Sequence, residues 1–270
     1  LGTQAISSGD FQNKVEVKSN DELGVLSDSF NFMSGEILKY MDEVKEKARM
    51  ESELAVAHLV QDRFFPSSEY EGHGLQVYGK HSPASECGGD WWGMLEHNEK
   101  VLVFIGDATG HGVPAALITA TAFSCINLLG ELSKSRPELL DHPEEILEIM
   151  NHAVYKMGGQ ILMTFFIGII DPKFRMMTYS NASHNTPFIL RSTDGREATK
   201  SDISPVMEAI GHRLGHHEKG EFLKSQIPFG KGDLLLLYTD GIIEGLNPEE
   251  KEYGERRFIK SIIANKEKSS

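Results

Sequence analysis

VFIGDATGHGVPAAL, residues 103–117 of a 270-residue chain, runs from apolar residues through Gly106-Asp107 and a turn holding Gly110, Gly112 and Pro114 into an alanine- and leucine-rich segment. This reads as a strand, a glycine-shaped turn and a helix, since proline suits a first helical turn where its missing N–H leaves no bond unmade. Outward from here, apolar runs bounded by turn residues predict strands at 75–78, 101–105, 164–170, 176–180, 188–191 and 234–238. Helical patterns fall at 114–131 and 143–157, the second with Ile146, Leu147, Ile149, Met150 and Val154 on one face. Strands before and after a helical pair favour antiparallel sheets with helices outside, an α+β architecture. Neither a tandem repeat nor a low-complexity segment interrupts it.

Three aspartates sit beside glycine at the ends of apolar runs: Gly88-Gly89-Asp90, Ile105-Gly106-Asp107 and Tyr238-Thr239-Asp240-Gly241. Any one alone reads as a turn or a helix cap. Together they suggest a hard-cation site, because clustered carboxylates repel unless a metal neutralises them, and oxygen-only donors favour magnesium or manganese over zinc. His111 lies in the turn after Asp107, where it is either loop packing or a proton donor. Trp91 and Trp92 read as core, and His184 as the maker of a structural hydrogen bond. The pair His216-His217 reads as surface, without a nearby ligand set.

A length of 270 residues with 40% hydrophobic content supports one sizeable domain and an appendage. A net charge of -13 leaves no global basic footprint, so nucleic acid is not expected as a partner. The acidic excess suits either cation binding or a merely soluble surface. Two cysteines, Cys87 and Cys125, lack a CxxC spacing, so neither a disulfide framework nor a zinc-thiolate site is indicated and a cytoplasmic setting is expected. No run of 18 apolar residues and no signal segment is present. The start at Leu1 leads to the expectation that an upstream portion, with any membrane span, is absent.

In the N-terminal third, Leu23, Leu26, Phe30, Met33, Ile37, Tyr40 and Val44 alternate steps of three and four. Such a narrow heptad seam calls for a partner helix, so a homodimer or small bundle is expected. Register loosens after Ala48 and the helix is predicted to run on to Pro66. Rotation or register change in such a stalk is the expected means of control.

The stretch ISSGDFQNKVEVKSNDELGVLSDSFNFM, residues 6–33, resembles the second half of a HAMP module, and ESELAVAHLVQDRFFP, residues 51–66, is similar to the helix leading into SpoIIE/RsbU-type phosphatase domains. ECGGDWWG, VFIGDATGHGVPAAL, MTFFIGIID, YSNASHNTPFIL and DLLLLYTDGIIEGLNPEEKEYGERRF resemble, in order, the motif series of that PPM-type (protein phosphatase 2C-like) family. The resemblance covers residues 51–258 and implies an αββα sandwich of two antiparallel sheets, preceded by the long signalling helix. The implied division is a partial HAMP module and coiled-coil helix at 1–48, a linker helix at 49–66 and a C-terminally incomplete phosphatase domain at 67–270.

The resemblance also implies the chemistry. Asp107 would bridge two Mn2+ or Mg2+ ions, the Ala108 carbonyl would ligate one, Asp240 would hold the other, and Asp90 would bind a metal directly or through its water. Two cations would make a water acidic enough to attack phosphorus and would neutralise the phosphate oxygens. The implied activity is serine/threonine protein phosphatase, with a phosphorylated anti-sigma-factor antagonist as substrate, in a cytoplasmic domain of a membrane-anchored signalling protein. Cys87 does not make this a cysteine phosphatase, for the Cys-x5-Arg loop is absent. Two departures stand out. Gly93 occupies a position that is usually aspartate, and the chain ends without the family's final acidic pair, which leads to expectations of truncation or, alternatively, a pseudophosphatase acting as a binding module. A HAMP-linked nucleotide cyclase is disfavoured by the phosphatase motifs.

Overall fold

A computed structural model describes residues 9–17, 19–83, 87–158, 160–193 and 195–265; of the stretches quoted above, residues 6–8, 18 and 86 lie outside this set. Two compact units divide the chain, Leu1–Val56 and Ala57–Ser270.

In the first unit an extended connector leads to Asp21, whose carboxylate accepts from the Leu23 N–H at 3.0 Å and caps helix α1 (Glu22–Gln61). Gly24 answers a close approach, since a Cβ there would overlap the Ser19 carbonyl oxygen. Asn31 pins the connector: its carboxamide accepts from the Val15 N–H at 2.8 Å and donates to the Val15 carbonyl at 2.9 Å. Six of the seven predicted seam residues, Leu23, Leu26, Met33, Ile37, Tyr40 and Val44, are each at least 40% exposed, so the stripe faces solvent in the single chain. Helix α1 continues past Ala48 as expected but ends before Pro66, followed by a 3-10 turn at Asp62–Phe64. The reason is local: Phe65 is extended, the conformation a following proline imposes.

The second unit opens with the hairpin β1 (Glu69–Gly72) and β2 (Leu75–Tyr78). Next come β3 (Asp90–His97), β4 (Lys100–Ala108), α2 (Val113–Leu132), α3 (Pro143–Lys156), β5 (Met163–Asp171), β6 (Met176–Ala182) and β7 (Phe188–Leu190). The chain finishes with β8 (Ile203–Pro205), β9 (Ile210–Gly211), β10 (Ser225–Pro228), β11 (Leu234–Leu236), the short α4 (Asp240–Ile243) and α5 (Glu255–Asn265). The larger sheet has the order β10-β6-β5-β4-β3, antiparallel throughout, with β9 added parallel to β6; the smaller has the order β11-β7-β8. Asn98 and Glu99, both at positive φ, make the two-residue turn between β3 and β4.

Side-chain alternation along β4 builds the layers. Leu102, Phe104 and Ala108 face α2 and α3 in one core, whereas Val101, Val103 and Ile105 share the other with Ile189 and Leu235 of the smaller sheet and Val206 just after β8. On the outer side Phe258 of α5 packs on Tyr238 at 4.7 Å between ring centroids. This is the expected αββα sandwich. Among the described residues α2 is the one helix long and apolar enough to cross a membrane, but Ala115, Ile118, Ala122, Ile126 and Leu129 bury one face of it in the core.

All six predicted strands lie on observed ones, and both predicted helices match to within one or two residues. Strands β1, β3, β8, β9 and β10 went unread. The omission of β3 matters most, because Asp90 opens a strand rather than ending a turn. Its alternation was masked by Gly88-Gly89 before it and Gly93 within it. Gly93 itself is dictated by packing, for a Cβ there would run into the Phe104 ring.

Candidate metal centre

Asp90 and Asp107 are cross-strand partners in the β3–β4 ladder, which sets their Cβ atoms roughly 5 Å apart on one face of the sheet. That face is the one turned toward the smaller sheet, and both residues lie at its end. Asp240 arrives from the smaller sheet, opening α4 four residues after β11. The two sheets are tied here: the Thr239 hydroxyl donates to Asp90 Oδ2 at 3.1 Å.

The carboxylates feel one another. Burial, and then the charges of Asp90 and Asp240, push the Asp107 carboxyl well above its ordinary range. Asp90 is raised as well, by burial and by Asp240, against the opposing pull of Thr239 and His81. Three carboxylates gathered here, with the proton affinity of Asp90 and Asp107 raised by burial and by neighbouring acidic charge, form a site short of positive charge. Its chemistry fits hard divalent cations, which oxygen ligands bind and which relieve that repulsion. Ala108 is buried at the same place; its N–H donates to the Gly89 carbonyl at 3.1 Å, and a Cβ on Gly89 would overlap the Ala108 carbonyl oxygen. Only glycine at 89 permits this approach of the two backbones.

Positioning residues surround the acids. His184 is buried, with Nε2 at 3.2 Å from the Tyr238 carbonyl and Nδ1 at 2.9 Å from the Thr164 hydroxyl. A carbonyl only accepts, so Nε2 carries the proton and Nδ1 accepts from Thr164. Thr164 is the ladder partner of Asp107, so this imidazole fixes the approach to Asp240 against the strand next to Asp107. Burial lowers the His184 pKa to about 4, which keeps the ring neutral. Gln61, buried in the last turn of α1, clamps the turn before Asp90: its amide donates to the Gly88 carbonyl at 2.7 Å and accepts from the Gly88 N–H at 3.1 Å.

The expected structural roles of His184 and Trp91 match this geometry. Trp91 is buried, its Nε1–H donating to the Phe64 carbonyl at 3.0 Å, whereas Trp92 is half-buried against the second core. His111 is exposed in its loop. The reading of His216-His217 needs correction: both are at the surface, but His212 lies with them, the ligand nitrogens of all three falling within 4.8 Å of one another. Sequence reasoning also missed Gln61, His81, Thr239 and Arg213, the last a cation whose charge reaches Asp107. Each acts across a long sequence separation that no local pattern records.

An acidic cluster at the edge of two stacked antiparallel sheets, with helices on both outer sides, defines the PP2C class of phosphatase domains. The chain belongs to the SpoIIE family: residues 97–270 match the family described as Stage II sporulation protein E (SpoIIE), and residues 1–39 match the HAMP domain. Among curated relatives, protein IcfG of Synechocystis is 23% identical over 97% of this chain and 44% of its own length. The phosphoserine phosphatase RsbU of Bacillus subtilis is 26% identical over 72% of this chain and 54% of its own. The chain thus spans about half the length of the curated relatives it matches. In fold it is similar to the SiaA PP2C domain of Pseudomonas aeruginosa, with a TM-score of 0.63 and 22% identity over 82% of this chain and 84% of that one. It is likewise similar to the RsbU and RsbW domains of a Mycobacterium tuberculosis protein, with a TM-score of 0.53 and 21% identity over 68% and 48% of the two chains.

Proposed function

We propose that the acidic centre holds Mg2+ or Mn2+ and that the domain hydrolyses phosphoserine or phosphothreonine on a protein. The observation that carries this reading is the convergence of Asp90, Asp107 and Asp240 from two sheets into one cluster, where burial and neighbouring carboxylate charge raise the proton affinity of Asp90 and Asp107. Asp107, Asp240 and Asp90 with the Ala108 carbonyl would be the ligands. When bound, the metal pair supplies an activated water and neutralises charge on the phosphate. The chain's own part is orientation. Thr239 fixes the Asp90 carboxylate, His184 holds the Asp240 approach against β5, and the Gln61 clamp keeps the Gly88-Gly89 turn in place. Arg213, exposed beside the cluster, is the guanidinium at hand for a phosphate oxygen.

The substrate class in this proposal is a phosphorylated anti-sigma-factor antagonist. It is supported by similarity to a phosphoserine phosphatase and by a similar chain that combines RsbU and RsbW domains. The HAMP match supports a membrane-associated signalling protein with the phosphatase domain in the cytoplasm, and the exposed heptad seam supports a homodimer through α1. The proposed division stays at 1–48, 49–66 and 67–270. The test is phosphate release from such a phosphoprotein by the full-length protein, with and without Mn2+, beside Asp107→Ala. Metal-dependent release lost in the variant is expected. Silence of the full-length protein with metal would overturn the enzymatic reading in favour of a regulatory binding module.

A further inference from the structure

Three histidines converge on the loop after β9. His212, His216 and His217 place their rings with centroids 5.7, 5.1 and 4.2 Å apart pairwise, and one nitrogen from each lies within 4.8 Å of the others. All three are exposed, yet the backbone that carries them is fixed from beneath. Leu214 is fully buried and exchanges hydrogen bonds of 2.8 and 3.1 Å with Met163 of β5. The buried Asn151 of α3 accepts from the Gly215 N–H at 2.8 Å and donates to the His217 carbonyl at 3.0 Å. Gly215 has a φ of +84°, and a Cβ there would press on Val154, so the bend between Leu214 and His216 is committed to its shape. Before the loop, the Ser183 hydroxyl holds the Gly211 carbonyl at 2.7 Å.

We propose that these three imidazoles form a second metal site, one for a borderline transition-metal cation of the Zn2+ class, separate in chemistry from the carboxylate centre. Nitrogen-only donors select zinc, nickel or copper, whereas the all-oxygen aspartate cluster selects magnesium or manganese. The His212-x3-His216 spacing lies within the range used by histidine pairs on zinc. A tetrahedral zinc with three imidazoles needs ligand nitrogens about 3.3 Å apart, so rotation of exposed rings closes the remaining gap without moving the pinned backbone. Water takes the fourth position. A bound ion would clip the segment 212–217 and so stiffen the loop that also carries Arg213.

The test is calorimetric titration of Zn2+ alone into the full chain without an affinity tag, with a large excess of Mg2+ present to occupy the carboxylates. One zinc equivalent is expected, and each of His212→Ala and His216→Ala should weaken it about tenfold or more. Asp107→Ala should retain it, which separates this site from the proposed phosphatase centre. Thermal melts of each variant without zinc check that the fold is intact. Co2+ in place of Zn2+ should give visible bands that the double variant His212→Ala/His216→Ala loses. Retention of the zinc equivalent by that folded double variant, its loss in Asp107→Ala, or no zinc binding to the parent chain would overturn the proposal.

Discussion

The aspartate centre and the histidine loop, both proposed as metal sites, gather side chains in two ways, and both are reached through one turn, Asn181–Ser183–His184. At the centre, acids from β3, β4 and the start of α4 are brought together by ladder pairing, half-buried and mutually repelling. On the loop, exposed imidazoles from six consecutive residues ride on a backbone pinned by Asn151 and Met163. His184 serves the first through Tyr238 and Thr164, and Ser183 serves the second through Gly211. The lesson is that the centre stores unfavourable energy for a cation to relieve, while the loop stores conformational order. Substitutions should therefore shift the two in opposite senses.

The largest effect is expected from Asp107→Asn. On the proposed function, removing the central carboxylate should cut phosphate release ~10²-fold or more, because the proposed ligand would hold the metal charge that the transition state needs. The same change removes repulsion, so the metal-free protein should gain stability, on the order of 1–2 kcal/mol once solvent screening at this half-open cleft is allowed for. Differential scanning calorimetry in chelator checks this. A lower melting temperature for the metal-free variant would mean that Asp107 is a structural group rather than a strained one.

Asn151→Ala strikes the other region. It strips a buried side chain of hydrogen bonds to Gly215 and His217 and leaves their backbone groups unsatisfied, which should cost about 2–3 kcal/mol in urea unfolding. Zinc affinity at the loop should fall with it, while Mn2+ affinity at the aspartates changes little. Equal loss at both places would show that the two regions are one mechanical unit.

How much of this contrast is visible in the chain follows from how each region is built. The aspartates were legible because each carries its own local signal, glycine next to an apolar run, and the histidines should have been, because His212-x3-His216-His217 is a local spacing read only as a pair. The helix α2 and the strands β4 to β6 announce themselves through long apolar patterns. What stayed hidden depends on contacts distant in sequence: Thr239 on Asp90, Gln61 on Gly88, Asn151 under Gly215. Strand β9, two residues long, owes its pairing to the edge of β6 rather than to its own composition. Gly93 looked like a departure in the active-site motif, whereas the space is filled by Phe104.

His184→Gln tests the side of the shared turn that faces the aspartates, through pH. The folded pKa of about 4 lies below the ordinary 6.5, so the unfolded chain binds the proton first as pH falls. Stability from the neutral ring is therefore complete above pH 6.5 and is lost on the way down to 4. Between pH 7.5 and 5 this linkage amounts to about 2 kcal/mol, and the variant should lack that part of the pH slope. Unfolding curves at the two pH values decide it. An unchanged slope would place the proton uptake elsewhere.

The neighbouring residue should give the smallest effect and the finest division between the regions. Ser183 sits at a φ of +56°, a left-handed conformation that costs a residue with a Cβ roughly 1 kcal/mol, and it recovers a similar amount, about 1 kcal/mol, from its hydrogen bond to Gly211. Ser183→Gly relieves the strain and forfeits the bond, so its stability should stay within about 0.5 kcal/mol of the parent. Ser183→Ala keeps the strain and loses the bond, and should cost about 1 kcal/mol. Both variants release the Gly211 carbonyl, so both should loosen the entry to His212 and weaken zinc binding by a similar factor despite their different stabilities. If zinc affinity instead followed stability, the turn would act through the fold as a whole; if it follows the hydrogen bond, the histidine loop takes its order from a contact that the aspartate centre does not use.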